Sequence, residues 1–151
     1  MESRIVGQIK PVDHDPDFFE SNPYPIPYFD NKELKVGFVE AKHEPYLLEA
    51  DKVLQNFLSL HKQDRIKDSQ LVFHYYNETL KYGYTKPLDV NDIADIWKFV
   101  YPSEIIVQWD ENGDFYLCVS CGCDWEKEHG LQLVFKEGKK LTRASGHDGG
   151  F

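Results

Sequence analysis

Residues 121–131, Cys-Gly-Cys-Asp-Trp-Glu-Lys-Glu-His-Gly-Leu, carry the densest group of side chains in this sequence that are capable of chemistry. A thiol at Cys123 and an imidazole at His129 are six residues apart, so a loop between them could bring the two together. Nucleophilic catalysis by cysteine requires such a thiolate beside a base. A small hydrolase or thiol enzyme that uses Cys123, His129 and Glu126 is therefore one hypothesis. The sequence supplies no recognisable oxyanion hole for it.

The same segment also has the composition of a contact surface. Aromatic side chains anchor protein interfaces, and carboxylates attract basic partners. The candidate binding residues are Asp124, Trp125, Glu126, Glu128 and His129. The alternative is a structural loop, in which the tryptophan covers the sheet and the carboxylates cap loop amides.

Strand alternation distinguishes the two roles of the tryptophan. The run of residues 115–123 is typical of a β-strand, whose side chains point alternately to its two faces. Continuing the phase of Leu117, Val119 and Cys121 places Trp125 on the same, apolar side. We therefore expect Trp125 to be buried and the carboxylates of the loop to face solvent.

The three cysteines, Cys118, Cys121 and Cys123, form an odd cluster within six residues. A secreted disulfide framework would have an even number of dispersed cysteines. Two residues on one face of a strand are about 7 Å apart, which strains a disulfide. We expect reduced, buried thiols, with no metal and no cofactor bound to the chain.

The charge of the chain is −9, from 17 basic and 26 acidic residues. Residues 86–130 alone contain 3 basic and 10 acidic side chains, a local charge of −7. Because nucleic-acid binding depends on neutralising phosphates, this excess argues against a nucleic-acid partner. It fits a basic protein partner, or a contribution to solubility alone.

The chain has no apolar run near the ~20 residues of a membrane span. Its first residues have no basic segment followed by an apolar one, so they do not resemble a signal peptide. We expect a cytoplasmic protein without a membrane partner. Its oligomeric state is left open by the sequence.

The first two thirds of the chain combine one hairpin with helices. Residues 26–29 and 34–39 flank a polar loop and predict a β-hairpin. Apolar residues at helical spacing predict helices over residues 45–61 and 63–82. A third, shorter helix is predicted to start at an N-cap at Asp89 and to stop before Pro102.

The last third predicts strands over residues 104–109, 115–123, 131–135 and 140–143. Asn112-Gly113, between the first two, is a strong hairpin signal. The expected fold is a single α+β domain over 1–151, in which an N-terminal hairpin and a C-terminal four-stranded meander form an antiparallel sheet with three helices on one face. Residues 1–25 are expected to be irregular, apart from a short strand that residues 5–9 could form, and residues 144–151 to be a mobile tail.

Residues 123–135, with their continuation over 138–143, resemble the C-terminal signature of a bacterial family that is a domain of unknown function. Residues 26–30 and 54–58 resemble segments of the same family, and the resemblance extends over nearly the whole chain from about Asp13. It implies family membership and says almost nothing about activity. The Trp-Xaa-Xaa-Glu-His-Gly element also resembles elements of small bacterial domains among which immunity proteins of toxin systems are suspected.

Taken together, the acidic surface and the incomplete catalytic set favour a non-enzymatic protein-binding domain. The resemblance suggests an immunity-type protein, which would neutralise a toxin by covering its active surface. The hydrolase or thiol enzyme remains the alternative.

Overall fold

A computed structural model of the chain describes residues 1–83 and 85–151 and shows a mixed α+β fold. Nine strands form one sheet, with bounds β1 Glu2–Ser3, β2 Gly7–Val12, β3 Asp15–Ser21, β4 Tyr24–Ile26, β5 Lys32–Val39, β6 Val100–Trp109, β7 Phe115–Cys123, β8 Leu131–Lys136 and β9 Lys140–Ser145. The helices are α1 Glu44–Leu58, α2 Lys62–Lys67 and α3 Ser69–Lys81, with short 3-10 helices at Pro27–Phe29 and Ile93–Phe99. The predicted α+β class is confirmed.

The strands follow the order β1-β2-β3-β5-β6-β7-β8-β9, and β4 pairs with β5 beside β3. The predicted C-terminal meander is present, since β6 to β9 pair antiparallel in sequence order. One pairing differs from the expected antiparallel sheet, because β5 and β6 run parallel. The chain passes through all three α-helices between these two strands, and such a crossover returns it in the same direction.

The prediction that residues 1–25 are irregular, apart from a possible short strand over 5–9, was wrong, because they contribute β1 to β3 and most of β4. Ile9 and Phe19 are buried, whereas Pro11 is exposed although it pairs with Phe19 across the β2–β3 hairpin. These strands extend the edge of the sheet, so much of their surface is polar. Proline and aspartate, which are typical of turns, are frequent in them, and many of their side chains face solvent. The local sequence pattern therefore does not indicate strands.

The second predicted helix is divided into α2 and α3 at Asp68. The carbonyl of Arg65 accepts hydrogen bonds from the Trp97 indole at 3.1 Å and from the Ser69 hydroxyl at 3.4 Å. The Asp68 carboxylate accepts one from the Tyr28 hydroxyl at 2.9 Å. Tyr28 and Trp97, from distant segments, thus contact the chain where the helix divides.

The third predicted helix is a 3-10 helix and starts later than expected. Its N-cap is Asp92, whose side chain accepts from the amide of Ala94, and Asp95 completes a capping box. The cap predicted at Asp89 was wrong by three residues. The same three-residue spacing of Asp89, Asp92 and Asp95 explains the error, since each aspartate can cap a first turn.

The helices and the sheet share one core. α1 packs against β6 and β7, and α3 packs against β9. Alternate residues of β5 to β8 point toward the helices and are buried, among them Val36, Ile105, Leu117 and Leu133. No helix in the described part of the chain combines the length and the apolar character needed to cross a membrane.

Residues 144–151, predicted to be a mobile tail, pack against the rest of the fold, and the last two contact the face of the sheet that is opposite the helices. Residues 144 and 145 belong to β9. Beyond them, the carbonyl of Gly150 accepts a 2.7 Å hydrogen bond from Gln132, and the ring of Phe151 stacks on Tyr116 with centroids 4.6 Å apart. Both partners are at positions of β7 and β8 that alternate with the core residues, so the tail covers the face that has no helices.

Candidate functional site

Trp125 lies in the core, as strand alternation predicted. Its side chain is 2% exposed and packs edge-on against Tyr75 and Tyr76 of α3, with ring centroids 5.9 and 5.7 Å apart. Its indole Nε1 is buried and has no hydrogen-bond partner among the described residues. Trp125 therefore anchors the β7–β8 loop to the helices, and any contribution it makes to binding is indirect.

Glu126 holds the loop in shape. One of its oxygens accepts hydrogen bonds from the amides of Glu128 and His129 at 3.0 and 3.1 Å. The other lies 3.1 Å from Nδ1 of His129. The amide of His129 and its imidazole together lower the pKa of Glu126, and the Glu126 carboxylate in turn raises the pKa of His129. The loop is thus ordered by its own side chains.

Gly130 closes the loop on its other side. It has φ of +62°, and a Cβ there would lie 2.7 Å from the carbonyl oxygen of Cys121. Its own carbonyl accepts a 2.8 Å hydrogen bond from the Tyr75 hydroxyl. Only glycine fits this turn, because any side chain would meet the backbone of β7.

Asp124 joins the loop to an exposed aromatic residue that the sequence did not single out. Its amide donates to the carbonyl of Phe99 at 3.1 Å, and its carboxylate accepts a 2.9 Å hydrogen bond from the hydroxyl of Tyr101. The Tyr101 side chain is 49% exposed and lies opposite Gly122 in the β6–β7 pairing. We call the group Tyr101, Asp124, Glu126, Glu128 and His129 the acidic loop surface.

Cys123 does not complete a catalytic arrangement with Glu126 and His129. The thiol is 4% exposed and donates a 3.4 Å hydrogen bond to the backbone carbonyl of Glu126. Burial raises its pKa to about 11. The imidazole of His129 is exposed and is paired with the Glu126 carboxylate. The structure thus brings the acid and the imidazole together but leaves the thiol protonated in the core.

Comparison with known proteins identifies the family. The model of a family described as a domain of unknown function (DUF6985) matches residues 6–151. The chain belongs to this family. No curated protein and no solved structure matches it with significance. The expected membership of a domain-of-unknown-function family is therefore confirmed, and the function of this DUF6985 domain has to be argued from its own geometry.

The other cysteines of the DUF6985 domain are also buried free thiols. Cys118, Cys121 and Cys123 are unpaired, and burial raises the pKa of each above its usual range. Within residues 1–83 and 85–151, no three His, Cys, Asp or Glu side chains converge on a point where a metal ion could bind.

Proposed function

We propose that this DUF6985 domain binds a basic protein partner through the acidic loop surface, as an immunity-type protein that covers the active surface of a toxin in the bacterial cytoplasm. The observation that carries the proposal is the exposed ring of Tyr101, held in place by the carboxylate of Asp124. A tyrosine fixed by a hydrogen bond loses little side-chain entropy when it is buried against a partner. Such aromatic residues dominate the energetics of protein interfaces.

Electrostatics supports a cationic partner. Glu128 is exposed in the same loop, and Asp124, which accepts the hydrogen bond of the Tyr101 hydroxyl, is partly exposed. They belong to the stretch of residues 86–130 that has a charge of −7. Carboxylates around an aromatic anchor accelerate association with a basic surface and disfavour acidic partners such as nucleic acids.

The order of the loop supports binding rather than catalysis. Three hydrogen bonds to Glu126 and the packing of Trp125 fix the backbone before a partner arrives. A preformed surface avoids the entropy loss of ordering a loop on association. The alternative thiol enzyme has little support, because a nucleophilic cysteine needs a lowered pKa and the burial of Cys123 raises its pKa.

Site-specific photo-crosslinking tests the proposal in the native cell. A benzophenone amino acid replaces Tyr101 in one variant, Glu128 in a second and Glu33 in a control. Glu33 is an exposed acidic residue on β5, outside the acidic loop surface. We expect one discrete adduct from positions 101 and 128, formed with a basic protein, and none from position 33. Equal labelling from all three positions, or no adduct from 101 and 128, would contradict the proposal.

Affinity measurements on the purified pair then test the roles of the side chains. Tyr101→Ala should weaken binding by about 30-fold or more, the level of an interface hot spot. Glu128→Lys should slow association and reduce its dependence on salt, because one attracting carboxylate is replaced by a cation while Asp124 and Glu126 remain. Glu33→Lys makes the same change of charge elsewhere and should have a much smaller effect.

A further inference from the structure

A groove of about 540 Å³, formed by three separate segments of the chain, carries a charge opposite to that of the whole protein. It lies between the loop before β5, helix α2 and the 3-10 helix of residues 93–99. Four cationic and two acidic side chains line it: Lys32, Lys62, Arg65, Lys98, Asp30 and Asp95. A net positive groove in a protein of charge −9 is a local feature that solubility does not explain.

Arg65 forms the base of this cationic groove and is held there firmly. Its side chain is only 12% exposed. Its Nη1 donates to the backbone carbonyl of Tyr28 at 3.1 Å and to the carboxylate of Asp30 at 3.0 Å. The guanidinium also lies 6.0 Å from the ring of Trp97. Both N–H groups of Nη1 thus donate hydrogen bonds, and these two bonds fix the plane of the guanidinium.

The opposite edge of the same guanidinium has no partner. Nε is buried and unbonded, and Nη2 makes no hydrogen bond within the described part of the chain. Nε and Nη2 form the edge with which arginine binds a carboxylate or a phosphate through two parallel hydrogen bonds. A buried donor without an acceptor is unfavourable, and a bound oxyanion would relieve that cost.

The other charges of the groove leave two lysines free to assist. Asp30 is paired with Arg65, and Asp95 is paired with Lys98 at 3.2 Å. Lys32 and Lys62 are exposed and form no ion pair with any described residue. Apolar surface lies beside them, because Ile66 is 46% exposed and lines the groove together with Trp97.

We propose that the cationic groove binds a small molecule that carries a phosphate or carboxylate group on an apolar body. The groups that cover Nε move aside on binding, so that the oxyanion reaches the unpartnered edge of Arg65 between Lys32 and Lys62, and the apolar body contacts Ile66 and Trp97. The volume is within the range of small-molecule sites. None of the residues that line the groove belongs to the acidic loop surface, so the two proposals are tested by different variants and fail independently.

NMR titration of the full chain tests the site directly, with phenyl phosphate, benzoate and benzylamine as probes. The signals observed are Arg65 Nε–H and the indole N–H of Trp97. We expect phenyl phosphate, benzoate or both to shift these two signals, with a dissociation constant on the order of 1 mM or lower for a ligand of about ten non-hydrogen atoms. Benzylamine has the same ring and the opposite charge and should not bind. The anion that binds more tightly identifies the class of ligand.

Variants show whether binding uses the proposed groups. The double variant Lys32→Ala/Lys62→Ala should weaken binding about fivefold or more, because two cations are removed. Lys67→Ala changes another exposed lysine of α2 that does not line the groove, and should leave the affinity unchanged. Arg65→Lys keeps the charge and removes the two-donor edge, so it should weaken binding by about tenfold or more.

The outcomes are decisive even if one variant is unstable. Should Arg65→Lys fail to fold, the lysine double variant and the Arg65 Nε–H shift still test the site. The proposal is overturned if neither anion shifts the Arg65 signal, if benzylamine binds equally well, or if the lysine double variant and Lys67→Ala have the same affinity as the unchanged protein.

Discussion

The carboxylate of Glu126 and the imidazole of His129 are 3.1 Å apart in a loop where each shifts the pKa of the other in the direction that favours its charged form. The pair therefore contributes most in the pH range between the lowered pKa of Glu126 and the raised pKa of His129. Below that range the carboxylate is protonated, and above it the imidazolium loses its proton. The loop that carries the proposed binding surface should thus be most firmly held in this range.

The first prediction concerns the titration of His129. Its folded pKa is raised above the ordinary value of 6.5, so its stabilising contribution is complete below about 6.5 and is lost as the pH rises through the folded pKa. Glu126→Gln removes the main cause of the shift. We expect the pKa of His129, followed by NMR of its ring protons, to fall toward 6.5 in this variant.

The control for this titration is Glu49→Gln, which removes an exposed carboxylate of α1 that is paired with Lys52. It should leave the titration of His129 unchanged. If Glu126→Gln leaves the pKa of His129 in place, the raised value does not come from the contact in the loop.

The second prediction concerns the packing of Trp125. Trp125→Ala should lower the free energy of unfolding by about 3–5 kcal/mol, as is usual when a buried large aromatic residue is deleted. Trp125→Phe should lower the free energy of unfolding by less than a Trp→Phe change that breaks a hydrogen bond. The buried Nε1–H that it removes has no acceptor among the described residues. Chemical denaturation measures both values.

Trp109→Ala is the matched control for that series. Trp109 is partly exposed and stacks on Tyr46 with ring centroids 4.3 Å apart. Its removal loses this aromatic contact and only part of the burial of a core tryptophan, so it should lower the free energy of unfolding by about 1–2 kcal/mol. An equal loss at the two tryptophans would show that Trp125 does not anchor the loop to α3.

The meander and the burial of Trp125 could be predicted from the sequence because both follow from local rules. Asn112-Gly113 selects a hairpin turn, and the alternation of β7 continues in phase to Trp125. The parallel pairing of β5 with β6 could not be predicted in this way. It joins segments that are about sixty residues apart, and no residue type marks it locally.

Tyr101 was missed because the predicted strand started at Glu104, after Pro102. A β-bulge between Pro102 and Glu104 allows β6 to begin at Val100, so Tyr101 reaches Gly122 and Asp124. The local signal in the sequence is a tyrosine directly before a proline, Tyr101-Pro102, at the start of the β-rich run. The cationic groove had no such signal, because its residues come from three separate segments and the charge of each segment is mixed.

The third prediction separates backbone strain from a steric clash. Gly130→Ala places a Cβ 2.7 Å from the carbonyl of Cys121 at φ of +62°, so both effects act together. Gly113→Ala also has positive φ, +81°, but no described atom lies within 4 Å of the added Cβ. We expect a loss of about 1–2 kcal/mol at Gly113 and about 3 kcal/mol or more at Gly130. Similar losses at the two glycines would mean that the loop moves away from β7 at little cost.

The last prediction concerns the three thiols and decides between the two hypotheses for the 121–131 segment. Cys118, Cys121 and Cys123 are buried with raised pKa values, and reaction with a disulfide reagent requires an accessible thiolate. We expect no rapid reaction with Ellman's reagent at pH 8 in the folded protein, and three thiols per chain in denaturant. The variant Glu128→Cys provides an exposed thiol in the same loop as a positive control, and should add one fast-reacting group. If Cys123 instead reacts as fast as that exposed thiol, the loop opens far enough to expose it. Cys123 would then be accessible as a nucleophile, and that result would support the thiol-enzyme hypothesis.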